Sequence, residues 1–396
     1  MRILLLSQYF RPEMGAPQNR LFEMLGGFKQ EGVDIAVVTA MPNYPEGRVF
    51  DKYRGKFTIL ENLDGMLVKR FWLYASNSKR ALPRIISMLS FSFTALFSFV
   101  FCRRFKPDIL IVESPPLTLA LTGCLLAFMC NCKLVTNVAD LWPLSAVELG
   151  VISKGRIYTV LERMERCIYN RSAAVLGQSQ EIVEYVQEHT SSHVYLFRNG
   201  VDYQRFEAAP VVETAEKNRC RKIIYAGLLG VAQRIKEICE SINFTDYGLE
   251  FHIFGAGPER EEVIEFLNEN PDRGIKYKGV LSLEEVPGVL KQYDGALIPL
   301  TRMIFGAVPS KIYEAMAAEL PILFSGDGEG ARIIQTNNIG WVNKAGDMSG
   351  LEANIKIFSK ANVKSIKETC KVLARGQYNR SLQIRNLYSF LMENVK

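Results

Sequence analysis

Short apolar runs recur along this chain with room for a helix between most neighbours, and this alternation restricts the possible folds more than any other feature. In the first half the runs cover residues 3–7, 33–39, 109–112, 134–137 and 173–176. In the second half they cover residues 222–226, 250–254, 295–298, 322–324 and 340–342. Helical periodicity lies between several of them, at 18–29, 157–169, 233–242, 259–268, 283–293 and 311–318. Alternating strands and helices predict parallel sheets with both faces covered, so we expect an α/β protein.

The two arrays predict two Rossmann-like domains that face each other across a cleft. A chain of 396 residues is long enough for two domains. The Asn199-Gly200 pair favours a turn between the arrays, and a polar stretch at 207–221 precedes the first strand of the second array. The predicted domains are therefore 1–197 and 198–377, followed by a C-terminal helix at 378–396.

Composition excludes several classes of function. The net charge is +6 and the basic residues are scattered, which is not the footprint of a nucleic-acid-binding surface but suits phosphates or lipid headgroups. The eight cysteines show no metal-binding spacing, and the three histidines form no ligand pair, so we expect no metal site. The first apolar run is too short for a secretory leader, which predicts reduced thiols in a cytoplasmic protein.

Residues 85–102 form an uncharged segment rich in phenylalanine, nearly long enough to span a bilayer. Hydroxyl side chains line one helical face, and basic residues flank both ends of the segment: Lys79, Arg80, Arg84, Arg103, Arg104 and Lys106. Basic flanks at both ends are typical of a helix lying in the bilayer surface, since a spanning helix carries positive charge mainly on one side. A core helix packed on the first sheet and a true membrane span are the alternatives.

Two loops after predicted strands of the first half carry candidate binding residues. Gly15 allows close backbone approach ahead of a helix N-terminus that favours an anion, and Arg20 adds positive charge. Asp140 follows the strand at 134–137, where a carboxylate can face a substrate hydroxyl as base or hydrogen-bond acceptor. The alternatives are an ordinary turn at Gly15 and a local cap at Asp140.

The second half offers two glycine-rich loops. Gly227 and Gly230 follow the strand at 222–226, and their N–H groups can approach a diphosphate. Gly255 and Gly257 begin like a dinucleotide fingerprint, but Arg260 stands where its third glycine belongs, which argues against a nicotinamide dehydrogenase. Tight βα connections are the alternative for both loops.

The stretch from Val308 to Ala318 runs from a loop into a helix between two buried strands. Pro309 suits a helix start, and Ser310 with the free N–H groups beside it can bind an anion. Lys311 and Glu314 share one helix face. Together they offer donors for a phosphate and a carboxylate for a sugar or ribose hydroxyl; the alternative is an amphipathic helix with a surface ion pair.

These motifs together resemble a family-four retaining glycosyltransferase of the GT-B fold, over nearly the whole chain. The resemblance rests on Arg-Asn-Gly-Val-Asp at 198–202 and on the stretches 225–227, 252–258, 279–281 and 309–317. Asp-Leu-Trp-Pro at 140–143, with Pro-Ser-Lys at 309–311, is similar to the bacterial surface-polysaccharide members, among them the L-fucosamine transferases of O-antigen assembly.

The resemblance implies roles by position. Asp140 and Glu314 are the expected catalytic residues, with Glu314 also binding the ribose hydroxyls. The backbone at Val280 is expected to hold uracil. The implied donor-binding set is Gly15, Gly227, Gly230, Val280, Arg302, Ser310, Lys311 and Glu314. The implied acceptor-binding set is Arg20, Asp140 and Trp142.

The chain departs from the family pattern in two places. Gly306 stands where the first of two glutamates is expected, and Leu228 and Gln233 stand where the family has a basic pair. Arg302 and Lys311 are the residues we expect to supply the missing charge.

The function that follows is transfer of a sugar from a UDP-sugar to a polyprenyl-diphosphate-linked saccharide, in O-antigen, capsule or other surface-polysaccharide synthesis. The expected sugar is an N-acetylamino sugar such as N-acetylfucosamine. The expected partners are the nucleotide sugar, the lipid-linked acceptor and the inner face of the cell membrane, with no cofactor. The rival hypotheses are a nucleotide-sugar epimerase of the same fold and a catalytically silent binding protein at the membrane surface.

Overall fold

The computed structural model describes residues 1–78, 80–210 and 220–395, without the side chains of Ala16 and Ala81. Lys79 and most of the polar stretch at 207–221 therefore lie outside the described residues. The chain forms two compact units. The first consists of Met1–Arg198 with Gln383–Lys396, and the second of Asn199–Leu382.

The first unit is built on an eight-stranded sheet with the strand order β3-β4-β2-β1-β5-β6-β7-β8. All neighbours are parallel except the β3–β4 pair. The central strands are apolar and buried, as expected for strands covered on both faces. The strands are β1 Arg2–Ser7, β2 Asp34–Ala40, β3 Thr58–Leu63, β4 Met66–Phe71, β5 Ile109–Ser114, β6 Lys133–Val138, β7 Ala174–Gly177 and β8 His193–Leu196.

The hairpin β3–β4 was not predicted, although its turn has a recognisable sequence. Asp64 and Gly65 connect the strands, and both have positive φ (49° and 76°), as a two-residue hairpin turn of type I′ requires. The hairpin side chains alternate between exposed and covered, so no continuous apolar run marks them. β8 is a half-buried strand at the sheet edge and was missed for the same reason.

Helices cover both faces of this sheet. One core cluster joins the inward sides of α2, α3, α4 and α6 to the sheet, and another joins α1 and the end of α16 to its opposite face. The helices of the first unit are α1 Ala16–Gln30, α2 Ala81–Ala95, α3 Phe99–Phe105, α4 Leu117–Cys130, α5 Leu144–Glu148, α6 Arg156–Arg171 and α7 Gln180–Gln187.

The apolar segment at 85–102 forms α2 and α3, joined by a short 3-10 turn, and its hydroxyl-bearing face points inward. Thr94 Oγ1 donates to the Trp72 carbonyl at 2.6 Å, and Ser92 Oγ lies 2.9 Å from Thr118 Oγ1 of α4. The outward face is apolar: Phe93 is 63% exposed and Phe97 is 56% exposed. By length and composition alone, Leu82–Phe105 is long and apolar enough to cross a membrane, and 39% of its most apolar 18-residue window is buried.

The second unit contains a six-stranded parallel sheet in the order β11-β10-β9-β12-β13-β14. Its strands are β9 Arg221–Ala226, β10 Leu249–Phe254, β11 Ile275–Tyr277, β12 Gly295–Pro299, β13 Ile322–Ser325 and β14 Gly340–Asn343. Its helices are α8 Tyr203–Ala208, α9 Ile235–Ser241, α10 Arg260–Glu269, α11 Val286–Leu290, α12 Ser310–Ala317, α13 Gly328–Thr336, α14 Met348–Lys360 and α15 Lys364–Arg375; α16 is Arg380–Asn394.

Each of the ten apolar runs predicted as strands forms a strand at or within two residues of its predicted position, and two predicted helices are shorter than expected. α9 starts at Ile235 because Arg234 has a left-handed backbone (φ 43°) that a helix cannot include. α11 is confined to Val286–Leu290, since Pro287 has no N–H to continue a helical hydrogen-bond pattern from the preceding turn.

Candidate functional site

The N-terminus of α12 lies beyond the carboxyl end of β12, where open α/β sheets bind ligands. Pro309 precedes the helix in an extended conformation and provides no side-chain cap. Ser310 is the first helical residue and is half-buried. A helix start without a side-chain cap leaves its N–H groups to a ligand, and the helix dipole favours an anionic one.

Lys311 reaches from α12 back to β9. Its Nζ lies 4.7 Å from the centroid of the Tyr225 ring and 3.5 Å from the Tyr225 hydroxyl oxygen. Burial lowers the pKa of Lys311, and the nearby Glu314 carboxylate opposes that change. A cation held over a ring with no acidic group bonded to it retains the capacity to neutralise a bound anion.

Gly227 makes this position of the ammonium possible. A Cβ on Gly227 would lie 1.9 Å from Lys311 Nζ. Tyr225 is fully buried, and its hydroxyl donates to the Leu228 carbonyl at 2.5 Å. The buried ring therefore supports both the ammonium and the loop that follows β9.

The loops after β9 and β10 pack directly against each other. The N–H of Leu229 donates to the Ala256 carbonyl at 2.9 Å. A Cβ on Gly255 would lie 1.8 Å from the Gly227 carbonyl oxygen, and a Cβ on Gly257 would lie 2.1 Å from that of Leu229. Both glycines have φ near 150°. Gly255 and Gly257 thus allow one loop backbone to approach the other, which is the alternative that the sequence left open. Gly230 has no such constraint, because its nearest neighbour atom is 3.6 Å away.

The Glu314 carboxyl lies one turn along α12 from Lys311. Burial raises its pKa, while Lys311, Arg380 and Arg205 oppose the rise. Its carboxylate makes no hydrogen bond to any other residue in the described part of the chain. A half-buried carboxylate with unused acceptor capacity is suited to a ligand hydroxyl.

Arg302 and Val280 occupy exposed loops of the second unit. Arg302 forms no ion pair or hydrogen bond with the residues that the structure describes. Val280 follows β11 in the loop before α11, and its side chain is exposed. The structure does not test their predicted roles in donor binding, which stay predictions.

In the first unit, a polar chain joins α1 to the ends of two strands. Arg20 Nη2 lies 2.6 Å from Glu113 Oε1, and Asn137 Nδ2 donates to Glu113 Oε2 at 2.5 Å. All three side chains are buried. Burial raises the pKa of Glu113, and the Arg20 guanidinium opposes that rise. The buried Arg20 guanidinium is therefore paired with Glu113 in this structure, and its predicted role in acceptor binding stays a prediction.

Glu113 and Asn137 were missed by sequence reasoning, although a signal existed. Each interrupts an apolar strand near its carboxyl end, and the two are direct partners in the β5–β6 register. Glu13 was also missed. Its carboxylate accepts from the N–H groups of Asn43 (2.7 Å), Tyr44 (2.9 Å) and Phe10 (3.1 Å), and so ties the loop containing Gly15 to the loop after β2. Burial raises the pKa of Glu13.

Gly15 and Asp140 lie at the carboxyl edge of the first sheet, as predicted from their positions after β1 and β6. Gly15 has extended backbone, and a Cβ there would lie 2.4 Å from Gln18 Oε1. Burial raises the pKa of Asp140, while the nearby Ser145 hydroxyl and Leu141 N–H oppose that rise. This local polar environment is the one expected of a cap. Trp142 is half-buried against the core.

Similarity to known proteins supports a transferase. A glycosyl transferase 4-like domain matches residues 15–200, and a domain of glycosyl transferases group 1 matches residues 221–359. The putative colanic acid biosynthesis glycosyl transferase WcaI of Escherichia coli K12 is 25% identical over 331 residues, or 80% of this chain and 81% of that protein. The probable glycosyltransferase WbjE of Pseudomonas aeruginosa is 30% identical over 280 residues, or 67% and 69%. The chain is a family-four glycosyltransferase.

The fold of this glycosyltransferase agrees with that membership. The structure of Anabaena HepE in complex with UDP superimposes with a TM-score of 0.71 at 13% identity, covering 99% of this chain and all of that one. Two parallel-sheet Rossmann-like domains make the fold GT-B, which confirms the predicted fold class.

The departures of this glycosyltransferase from the family pattern can be placed in the structure. Leu228 is exposed at the tip of the loop after β9. Gln233 is half-buried, and its Oε1 is buried without a hydrogen-bond partner in the described residues. Gly306 is buried with a positive φ of 82°, a conformation that a glutamate adopts only with strain. The ammonium of Lys311, by contrast, lies directly against Gly227 in this same region.

Proposed function

We propose that this glycosyltransferase transfers a sugar from a UDP-sugar to a polyprenyl-diphosphate-linked saccharide in surface-polysaccharide synthesis. The donor class is supported by the UDP bound in the HepE structure, and the pathway class by the colanic acid assignment of WcaI. An N-acetylamino sugar such as N-acetylfucosamine, and an O-antigen or capsule product, rest on the motif resemblance, as does retention of stereochemistry.

One observation carries the proposal most directly: the arrangement of Ser310, Lys311 and Glu314 beside Gly227. The helix start and the ammonium present positive potential to a diphosphate, and Glu314 presents a carboxylate to hydroxyl groups. Positive groups fixed in place stabilise the charge that develops on a departing diphosphate without further reorganisation. In the proposed site Lys311 takes over the role that the family gives to the basic pair.

The proposal includes association with the inner face of the cell membrane through α2 and α3. Their polarity is reversed relative to a helix on a water-facing surface, because the Ser92 and Thr94 hydroxyls point into the core while Phe93 and Phe97 are exposed. Large exposed apolar patches mark interaction sites, and the flanking Arg84 and Arg103 suit anionic headgroups.

The direct test is UDP release by purified protein from a panel of UDP-sugars, with and without a polyprenyl-diphosphate-linked saccharide extract. Release that requires both one sugar and the extract supports the transferase. Conversion of the sugar to an epimer without any acceptor would favour the epimerase. Binding of UDP with no turnover of any sugar would favour the silent binding protein.

The Glu314→Ala variant separates turnover from folding. We expect it to lose most UDP release while its thermal unfolding curve stays cooperative. Unchanged release in this variant would remove Glu314 from the proposed mechanism.

A further inference from the structure

The outer end of α4 carries an exposed apolar tip. All fourteen residues of this helix are uncharged, and the helix packs against α2, α3 and α6. Most of its first three turns are covered, but its last turns expose Leu125, Phe128 and Met129. Phe128 is 84% exposed. A phenylalanine exposed at the end of a largely buried helix gains no free energy from burial unless an apolar partner covers it. Exposed apolar patches of this kind indicate interaction sites.

A hollow of about 750 Å³ opens beside this tip. It lies between the end of α4, the start of β6 and the end of α6. Its lining consists of aliphatic, aromatic and thiol side chains together with Ser172 and two cations, Lys133 and Arg171. The lining residues include no acidic side chain. Its apolar wall residues are Leu121, Cys124, Leu125, Ala127, Phe128, Cys132, Leu134, Cys167 and Ala173.

In the described part of the chain, cations predominate around the tip, and the one carboxylate that acts on a hollow-lining residue, Asp108, accepts a hydrogen bond from the Arg2 N–H at 2.7 Å. Lys133 and Arg171 are exposed, and the neighbouring end of α3 exposes Arg103 and Arg104. Apolar side chains bordered by cations match the chemistry of an anionic phospholipid, which has acyl chains below a negative headgroup. A protein partner would need acidic side chains fixed opposite these cations. A bilayer with anionic lipid instead offers mobile negative headgroups, which can pair with the cations without a fixed arrangement.

We propose that the tip of α4 and the hollow beside it form a second bilayer contact, in addition to α2 and α3. Phe128 and Leu125 insert among acyl chains, and Lys133 and Arg171 pair with anionic headgroups. This inference rests on the proposed membrane association but depends on different residues. It extends the bilayer contact of the first unit from α2 and α3 to the outer end of α4.

Vesicle sedimentation of the full chain tests this contact, with vesicles of phosphatidylcholine alone and of phosphatidylcholine mixed with an equal part of phosphatidylglycerol. We expect Phe128→Asp to reduce partitioning onto the mixed vesicles by about tenfold or more. This factor corresponds to losing the burial of one phenylalanine side chain among the acyl chains. We expect Lys133→Gln and Arg171→Gln each to reduce it about fivefold, on the mixed vesicles only.

Ile357→Asp is the matched control, since Ile357 is 52% exposed on α14 of the second unit. It should leave vesicle binding unchanged. A parallel Phe93→Asp, Phe97→Asp variant reports on α2 and α3. If that variant loses all binding while Phe128→Asp retains it, the second contact is refuted and the first stands. If the wild-type protein binds neither vesicle, both fail.

Two further measurements keep the outcomes distinct. UDP release with a detergent-solubilised acceptor should be the same for wild type and Phe128→Asp, so loss of membrane binding is separable from loss of catalysis. Sedimentation equilibrium without lipid should give the same mass for both proteins. A wild-type dimer that Phe128→Asp converts to a monomer would mean that a second copy covers the tip, which overturns the proposal.

Discussion

The ammonium nitrogen of Lys311 lies 4.7 Å from the centroid of the Tyr225 ring. These residues belong to α12 and β9 and are 86 positions apart in the chain. Tyr225 is fully buried, and burial lowers the pKa of the Lys311 ammonium above its ring. Keeping Lys311 charged at this position therefore reduces the stability of the fold. A cost of this kind is typical of functional sites.

We expect Lys311→Met to reduce kcat/KM for the UDP-sugar by about two orders of magnitude, because a fixed charge near a departing diphosphate is lost. Thermal unfolding should occur at an equal or higher temperature, since a partly desolvated cation is replaced by an apolar side chain of similar length. Steady-state UDP release and calorimetry measure the two effects.

Tyr225→Phe is the matched variant, because it keeps the ring beneath the ammonium and removes only the hydroxyl. A reduction of about threefold to tenfold is expected, through the lost bonds to Lys311 and the Leu228 carbonyl. Wild-type activity in Lys311→Met would show that another group neutralises the diphosphate.

Gly227→Ala should weaken donor binding without unfolding the second unit. The added Cβ would occupy the position of Lys311 Nζ, and a flexible lysine tip can move away where backbone cannot. We expect KM for the UDP-sugar to rise about tenfold while kcat changes less. Gly288→Ala is the control, because no atom lies within 4 Å of its added Cβ. Equal kinetics for the two variants would contradict the placement of the ammonium.

The buried pair Arg20 and Glu113 should behave as a coupled unit in stability. Arg20→Met is expected to destabilise the first unit by about 3–5 kcal/mol, because it leaves a buried carboxylate whose remaining donor among the described residues is Asn137. The double variant Arg20→Met, Glu113→Gln should recover a large part of that loss. A double-mutant cycle by urea unfolding measures the coupling, and additive losses would argue against a direct pair.

Glu165 on α6 should make stability depend on pH. It is buried, accepts hydrogen bonds from Tyr169 (2.7 Å) and Tyr185 (3.0 Å), and burial raises its pKa to about 7. Between the ordinary glutamate pKa of 4.5 and this value, the folded chain holds a proton that the unfolded chain has released. Stability from this group is therefore complete below about pH 4.5 and is lost as the pH rises through 7.

The Glu165→Gln variant should remove that dependence. Relative to wild type, we expect it to gain about 2–3 kcal/mol between pH 5 and pH 8, measured by urea unfolding at each pH. A wild-type curve with the same pH dependence as the variant would show that Glu165 ionises in the folded protein as it does in water.

Much of the fold could be predicted from short-range patterns in the sequence. The apolar runs at 3–7 and 109–112 became β1 and β5 because strands covered on both faces need apolar side chains throughout. The β3–β4 hairpin was missed, even though Asp64-Gly65 is a favoured turn pair, because its strands alternate in burial and carry charged residues. The orientation of α2 was equally hidden, since a pattern of hydroxyls and phenylalanines defines two faces without saying which one the core covers.

Some residues of the candidate site could likewise be predicted from the sequence, and others could not. Ser310, Lys311, Glu314 and Gly227 were identified from the sequence because loop chemistry after a strand is a local property. Glu113 and Asn137 were not, because a single polar residue in an apolar strand gains meaning only from the neighbour that the sheet register provides. The exposed tip of α4 was also missed, since an uncharged helix reads as core from end to end.

The sequence by itself determined the α/β class, ten of the fourteen strands in the described residues, the family and the loops that carry the candidate chemistry; β3, β4, β8 and β11 were not predicted. These follow from periodicity and from short motifs, whose physics acts within a few residues. Only the tertiary structure decided that Lys311 lies over Tyr225, that Arg20 pairs with Glu113 and that α2 exposes Phe93 while it buries Phe91. Each of these depends on packing between elements far apart in the chain. The energy of such a contact depends on both partners and on the geometry that the fold gives them, so the local sequence around one partner does not predict it.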